Sequence, residues 1–184
     1  MRTVVLVEGT SDRAAIETLA AVRDVDLAAA GVEVVAMGGA TSIRHFLAQH
    51  AGNDVRLAGL CDAAEEGWFR RGLERAGYGR PRDRCDLEAL GFFVCDADLE
   101  DELIRALGVP AVERVVEAEG DLRSLRSLQK QPAQRDRPAA DQVRRFLGSG
   151  SGRKVRYARL LVEALAPEQV PRPLDRLLAH VTAG

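Results

Sequence analysis

Thr3-Val4-Val5-Leu6-Val7-Glu8-Gly9-Thr10-Ser11-Asp12 is an apolar, β-branched run that stops at a carboxylate followed by a glycine. A run of this kind reads as a buried strand, of the sort found inside parallel sheets. The pattern recurs at Val55 to Cys61, which ends at Asp62. Both acids then stand at C-terminal strand edges, where open α/β sheets gather their ligands. Carboxylates converging from separate strands repel one another by roughly several kcal/mol unless a hard cation such as Mg²⁺ sits among them. The pattern therefore predicts a metal.

Outward from these strands the patterns alternate. Ser11 to about Ala30 carries Ile16, Leu19, Ala20, Val22 and Leu27 at helical spacing, with Thr10 or Ser11 as its cap and Gly31 as its stop. Val32 to Met37 reads as a strand, Gly38-Gly39 as a turn, and Ile43, Phe46 and Leu47 as the apolar face of a helix capped by Thr41 or Ser42. After Asp62 come a helix from about Ala64 to Ala76, a Gly/Pro/Arg loop near Gly77 to Arg82, a short helix around Leu87 and a strand from Phe92 to Cys95. Strands separated by helices require right-handed crossovers, so the fold class is α/β, with a Rossmann-like, mainly parallel four-stranded sheet flanked by helices.

Beyond Asp96 only helical periodicity remains, over Leu99 to Leu107, Ala111 to Ala118, Leu122 to Leu128, Asp141 to Phe146, Lys154 to Leu165 and Leu174 to Val181. The chain thus divides into an α/β domain, 1–108, and an all-helical extension, 109–184, packed on it. Gln129 to Pro138 reads as a linker and Gly148 to Gly152 as a flexible break.

Charge follows this division. Residues 121–184 hold 13 Lys and Arg against 6 Asp and Glu, leaving 13 against 22 for residues 1–120. An acidic front beside a basic back suits a metal site next to a surface that meets polyanions. Cys61, Cys85 and Cys95 have no CxxC spacing, so neither a zinc cluster nor a disulfide framework is expected. No apolar stretch reaches the roughly 20 residues of a membrane span, and the N-terminus enters a strand at once, so a cytoplasmic protein without membrane contact is expected.

Among the acids, Glu8 precedes a glycine that lets a ligand approach the backbone, and Asp12 lies one helical turn on. Glu65 reads as a surface acid at a helix start. Asp96 to Glu102 packs five acids into seven residues, with Asp98 suited to cap the next helix and Glu100 able to turn toward the crevice. His45 and His50 read as surface residues. Gly148 to Lys154 lacks the GxxxxGK[ST] pattern and follows a helix, so it is no ATP loop.

Val-Glu-Gly-Thr-Ser-Asp after the first strand, Asp62 after the third, and Asp98-Leu99-Glu100-Asp101-Glu102-Leu103 after the fourth resemble the Toprim domain, particularly that of OLD-family nucleases. The resemblance covers most of the chain. It implies a Mg²⁺ or Mn²⁺ site for phosphoryl chemistry, with Glu8, Asp12, Asp62, Glu66, Asp98 and Glu100 as metal ligands and Glu8, Asp62 and Lys154 as catalytic groups. Lys154 matches the lysine near the end of the OLD helical extension. Ala64 departs from the pattern: it stands where the second aspartate of Asp-x-Asp belongs, with Glu66 in the outer acidic position.

The expected function is a metal-dependent phosphoesterase, a nuclease hydrolysing nucleic acid, DNA before RNA. Arg144, Arg145, Arg153 and Arg156 are the expected phosphate contacts. With aromatic residues only 4% of the chain, a stacking platform for single strands is not expected. The alternatives are a non-catalytic Toprim-like metal- or phosphate-binding module, favoured by Ala64, and a primase-type nucleotidyltransferase. OLD-family nucleases usually carry an ATPase domain and no such pattern is present here, so the resemblance implies either an independent Toprim module or one that works beside a separate ATPase, and homo-oligomerisation stays open.

Overall fold

Residues 2–50, 54–150 and 152–183 are described by a computed structural model. Four strands, β1 (Arg2–Val7), β2 (Val32–Ala36), β3 (Val55–Asp62) and β4 (Phe92–Cys95), form a sheet in the order β2-β1-β3-β4. All its pairings are parallel. The chain leaves β1 toward β2 on one side and returns to β3 on the other, so a crevice opens beyond the C-terminal ends of β1 and β3. Glu8 and Asp62 flank it.

Side chains alternate along each strand between the two faces of the sheet. Val4, Leu6, Leu57, Cys61 and Phe92 pack with Ile43 and Leu47 of α2 (Ile43–His50), Phe69 and Leu73 of α3 (Glu66–Arg75) and Leu87 of α4 (Arg84–Ala89). Val5, Val7, Ala58, Leu60, Phe93 and Cys95 face the other way, toward α1 (Thr10–Val22) and the helices after β4. Those are α5 (Leu99–Leu107), α6 (Val109–Ala118), α7 (Leu122–Gln129), α8 (Ala139–Leu147), α9 (Arg153–Glu163) and α10 (Arg172–Thr182). α9 lies along α1, and α10 lies on β3 and β4. The expected sheet, its flanking helices and the all-helical C-terminal part are all present.

Gly59 lets β4 and β1 close on β3. A Cβ there would stand 2.8 Å from the Leu6 carbonyl oxygen and 2.7 Å from the Phe92 ring.

Several local expectations are corrected. α1 stops at Val22, not near Ala30, because Asp24 adopts a left-handed conformation (φ 55°) and closes a Schellman turn. Val25 N–H donates to the Ala20 carbonyl at 2.8 Å and Asp24 N–H to Ala21 at 3.1 Å. Neither Thr10 nor Ser11 caps α1; Gly9 is its N-cap. The helices after Gly39 and Asp62 each begin with a 3₁₀ turn, at Ala40–Ser42 and Ala63–Glu65. The segment expected as a linker before Pro138 is a series of turns fastened to α8, where the buried Gln142 side chain donates to the Gln134 carbonyl at 2.8 Å. Ser151, within the expected break, lies outside the described residues.

Candidate metal centre

Glu8 is the first residue beyond β1, and its backbone is pinned from β2's side of the crevice. Its carbonyl accepts the N–H of Gly38 at 3.0 Å and of Gly39 at 3.1 Å. Both glycines have positive φ, a conformation that suits them and few other residues. Gly9 N–H donates to Asp12 Oδ2 at 2.8 Å, so one oxygen of Asp12 closes the start of α1 and the other is left for the crevice. Asp62 ends β3 and pairs in register with Cys95 of β4. Ala63 N–H donates to the Ala97 carbonyl at 3.2 Å, tying the loops after β3 and β4 together.

Asp98 caps α5, its Oδ1 accepting the Asp101 N–H at 2.8 Å while Oδ2 accepts Arg144 Nε at 2.8 Å. Both of its oxygens are thus engaged. Glu100, in the first turn of α5, is only 6% exposed. Its Oε2 lies 3.3 Å from Lys154 Nζ, whereas Oε1 is buried without a hydrogen-bond partner. Glu8 Oε2 is a second buried oxygen without a partner. A buried carboxylate oxygen left unpaired is costly, and a hard cation is the partner that suits it.

Lys154, at the start of α9, is the positive charge among these acids. Burial opposes its ammonium charge, but Glu100, Asp12 and Asp62 outweigh burial and hold its pKa above the usual lysine value. Burial raises the Glu8 carboxyl, helped by Glu65 and Asp12 and opposed by Lys154. Asp12 is raised by burial against the Gly9 N–H and Lys154. Asp62 is pushed up to about 7 by burial and by Asp12, Asp98 and Glu8. Burial also raises Glu100, again opposed by Lys154. Glu8, Asp12, Asp62, Asp98, Glu100 and Lys154 therefore share one field, although they come from three strand edges and the extension.

Glu66 is placed otherwise. It pairs with Arg70 and lies 3.2 Å from Arg84 Nε, and Arg84 reaches Asp96 at 2.8 Å. Glu65 is the acid of that pair whose charge reaches Glu8. Residue spacing does not reveal this, because the 3₁₀ turn at Ala63–Glu65 changes the angular phase with which α3 begins.

The donor set fits a hard divalent cation: all carboxylates, two of them with an orphaned buried oxygen. Among the described residues, however, no three His, Cys, Asp or Glu side chains already enclose a common point. A cation would have to draw the carboxylates inward, against the hold of Lys154 on Glu100.

Of the four expected phosphate contacts, Arg144 and Arg145 line a cleft of about 440 Å³ that also takes in Asp98, Glu100, Arg137, Asp141 and Lys154. Arg153 lies 4.3 Å over the Phe146 ring and donates to the Ser149 carbonyl at 2.8 Å. Arg156 pairs with Asp121. His45 is exposed and meets Gln49 at 2.9 Å. No described helix is long and apolar enough to cross a membrane.

Residues 1–63 match the family model of the Overcoming lysogenization defect protein-like TOPRIM domain. No curated protein sequence matches the chain. Among solved structures, the C-terminal region of the Xanthomonas campestris pv. campestris OLD protein is similar over 98% of this chain and 94% of its own, at 22% identity and a TM-score of 0.71. The C-terminal region of the Burkholderia pseudomallei OLD protein is similar over 98% and 97%, at 21% identity and a TM-score of 0.69. Glu8, Asp12 and Asp62 fall inside the matched segment, and Lys154 inside the part shared as fold alone. Residues 1–63 thus form an OLD-like TOPRIM segment, in a chain that folds as OLD C-terminal regions do.

Proposed function

We infer that this chain is a Mg²⁺- or Mn²⁺-dependent phosphodiesterase that hydrolyses nucleic acid, DNA being the expected substrate. The observation that carries this reading is the meeting of Glu8 and Asp62 at the switch point of the sheet, with unpartnered buried oxygens on Glu8 and Glu100. Glu8, Asp12, Asp62 and Glu100 would hold the cation. Asp98, with both oxygens engaged, would serve as a support, as would Glu66. A divalent cation supplies positive charge to phosphate oxygens and makes water more acidic.

The chain's own residues do the rest. Asp62, at the end of β3 and within the field of Glu8 and Asp12, would hold the cation on the side where an attacking water is oriented. Lys154 is fixed beside Glu100 and directs positive charge into the crevice, where it would stabilise charge developing on the phosphoryl oxygens. In this reading residues 1–108 form the catalytic Toprim unit, and 109–184 contribute Lys154 and the arginines that grip phosphate.

A second reading is a binding module without turnover. Ala64 and the open arrangement of the carboxylates favour it. Incubating plasmid DNA and single-stranded circular DNA with Mg²⁺ or Mn²⁺ separates the two. The catalytic reading expects cutting by the native chain and a loss on the order of 10²-fold or more in Glu8→Gln, comparable to removing a group that stabilises transition-state charge. Equal cutting by both proteins, or none by either, rejects it. Cation binding in calorimetry without cutting supports the module.

A further inference from the structure

The cleft between α5, α8 and α9 has a use that follows from its charges. Its inner end is the Lys154–Glu100 pair at 3.3 Å, which belongs to the metal centre. Arg144, on its wall, is already committed to Asp98. That leaves Arg137, Arg145 and Asp141, whose side chains make no hydrogen bond or ion pair among the described residues. All three are exposed. The uncompensated lining therefore carries two guanidinium groups and one carboxylate.

Arg137 is not loosely held. Its N–H donates to the Gln134 carbonyl at 2.9 Å, and the same carbonyl accepts the buried Gln142 amide of α8 at 2.8 Å. The turn carrying Arg137 is thereby fixed against the helix carrying Arg145. Free guanidinium groups carried on a fixed turn and a helix at the mouth of a metal centre suit a phosphate diester, which they can grip without reading sequence. At about 440 Å³ the cleft is of a size to seat a nucleotide unit of one strand.

We propose that this cleft is the path of a single nucleic-acid strand, with Arg137 and Arg145 holding a phosphate beside the one presented to the metal centre. The proposal rests on the nucleic-acid reading above and narrows it: the strand that reaches the carboxylates is unpaired there. Asp141 gives the proposal a distinctive consequence, because it is the one uncompensated acid in the strand's way. Removing its charge strengthens binding, an effect that general destabilisation does not produce.

Fluorescence anisotropy with a labelled 12-nucleotide single strand and with a blunt hairpin duplex, both in EDTA, tests this without relying on cleavage. Arg137→Gln and Arg145→Gln should each weaken single-strand binding by about 3- to 10-fold and lower the salt slope by about 0.7, as for loss of one contact to a single strand. Asp141→Asn should tighten it about 2- to 5-fold, and Arg75→Gln, in α3 on the opposite face of the sheet, should bind as the native chain does. Native-like binding by both cleft arginine variants, no change in Asp141→Asn, or native-chain preference for the duplex overturns the cleft proposal and leaves the phosphodiesterase reading standing. Failure of the native chain to bind either oligonucleotide also overturns the cleft proposal, and the cutting assay with Mg²⁺ or Mn²⁺ then decides the phosphodiesterase reading by itself.

Discussion

Asp62 is where residue chemistry becomes measurable. Its carboxyl has a pKa of about 7 in the folded, metal-free chain, against an ordinary value of 3.8. A carboxyl raised in this way stabilises the fold fully below pH 4 and loses that contribution as pH rises through 7. The metal-free protein should therefore lose stability between pH 4 and 7.5 through this group. Asp62→Asn should remove that slope and raise the metal-free stability at pH 8, by roughly 1–3 kcal/mol after discounting for solvent screening. It should also abolish the stabilisation that Mg²⁺ gives the native chain. Thermal unfolding at pH 4.5, 6 and 8, with EDTA or Mg²⁺, checks both; a native-like pH slope in the variant rejects the assignment. Lys154→Gln should do the opposite. Lys154 opposes the upward shifts of Glu8, Asp12, Asp62 and Glu100, so its loss should lower the metal-free stability at pH 8, by about 1 kcal/mol, and change little at pH 4.5. Glu8 and Asp62 were legible because an apolar run ending in an acid marks a strand edge. Lys154 lies 92 residues beyond Asp62, and only the family resemblance pointed to it. Arg137 stood in the sequence as one of many arginines able to meet phosphate, and nothing there singled it out, since its usefulness depends on a turn closed by two glutamines.

At the scale of elements, the strands were readable and the helix ends were not. β-branched runs buried on both faces leave few alternatives, so β2, β3 and β4 fall within a residue of expectation and β1 ends just before its acid. The end of α1 was hidden because the left-handed position at its C-terminus is filled by Asp24 where a glycine was expected, and Gly31 lies seven residues further on. That exception is testable. Asp24→Gly removes the steric cost of positive φ and should stabilise the chain by about 0.5–1 kcal/mol in urea unfolding, with no change in m. A loss of stability would mean that the Asp24 side chain contributes more than its backbone costs. Gly59→Ala should act in the other direction. The Leu6 carbonyl at 2.8 Å is backbone and cannot give way cheaply, so β3 would be pushed from β1 where Gly59 pairs with Leu6, just upstream of Glu8 and Asp62. A cost of roughly 1–3 kcal/mol is expected, together with weaker Mg²⁺ stabilisation.

For the whole molecule the decisive fact is how the extension covers the sheet. Ala58, Leu60 and Phe93 belong to the same core cluster as Leu174, Leu177, Leu178 and Val181 of α10, while α9 runs along α1. The sequence suggested an α/β unit up to residue 108 with helices added to it, because periodicity reports which face of a helix is apolar and not which partner receives it. In the folded chain the added helices complete, with α1 and α5, one of the two layers on the sheet. Several fully buried side chains lose their partners if α10 is removed, each worth roughly 1.5–3 kcal/mol, against a total stability of about 5–15 kcal/mol for a domain. A chain ending at Pro171 should therefore lose cooperative unfolding, and residues 1–108 alone, lacking α9 and Lys154 as well, should not form the carboxylate centre. Circular dichroism and urea titration of both truncations test this. A cooperative transition in residues 1–108 with a native-like m per residue would show that the sheet can stand on α1 to α5 alone. The extension's role would then reduce to supplying Lys154 and the arginine cleft.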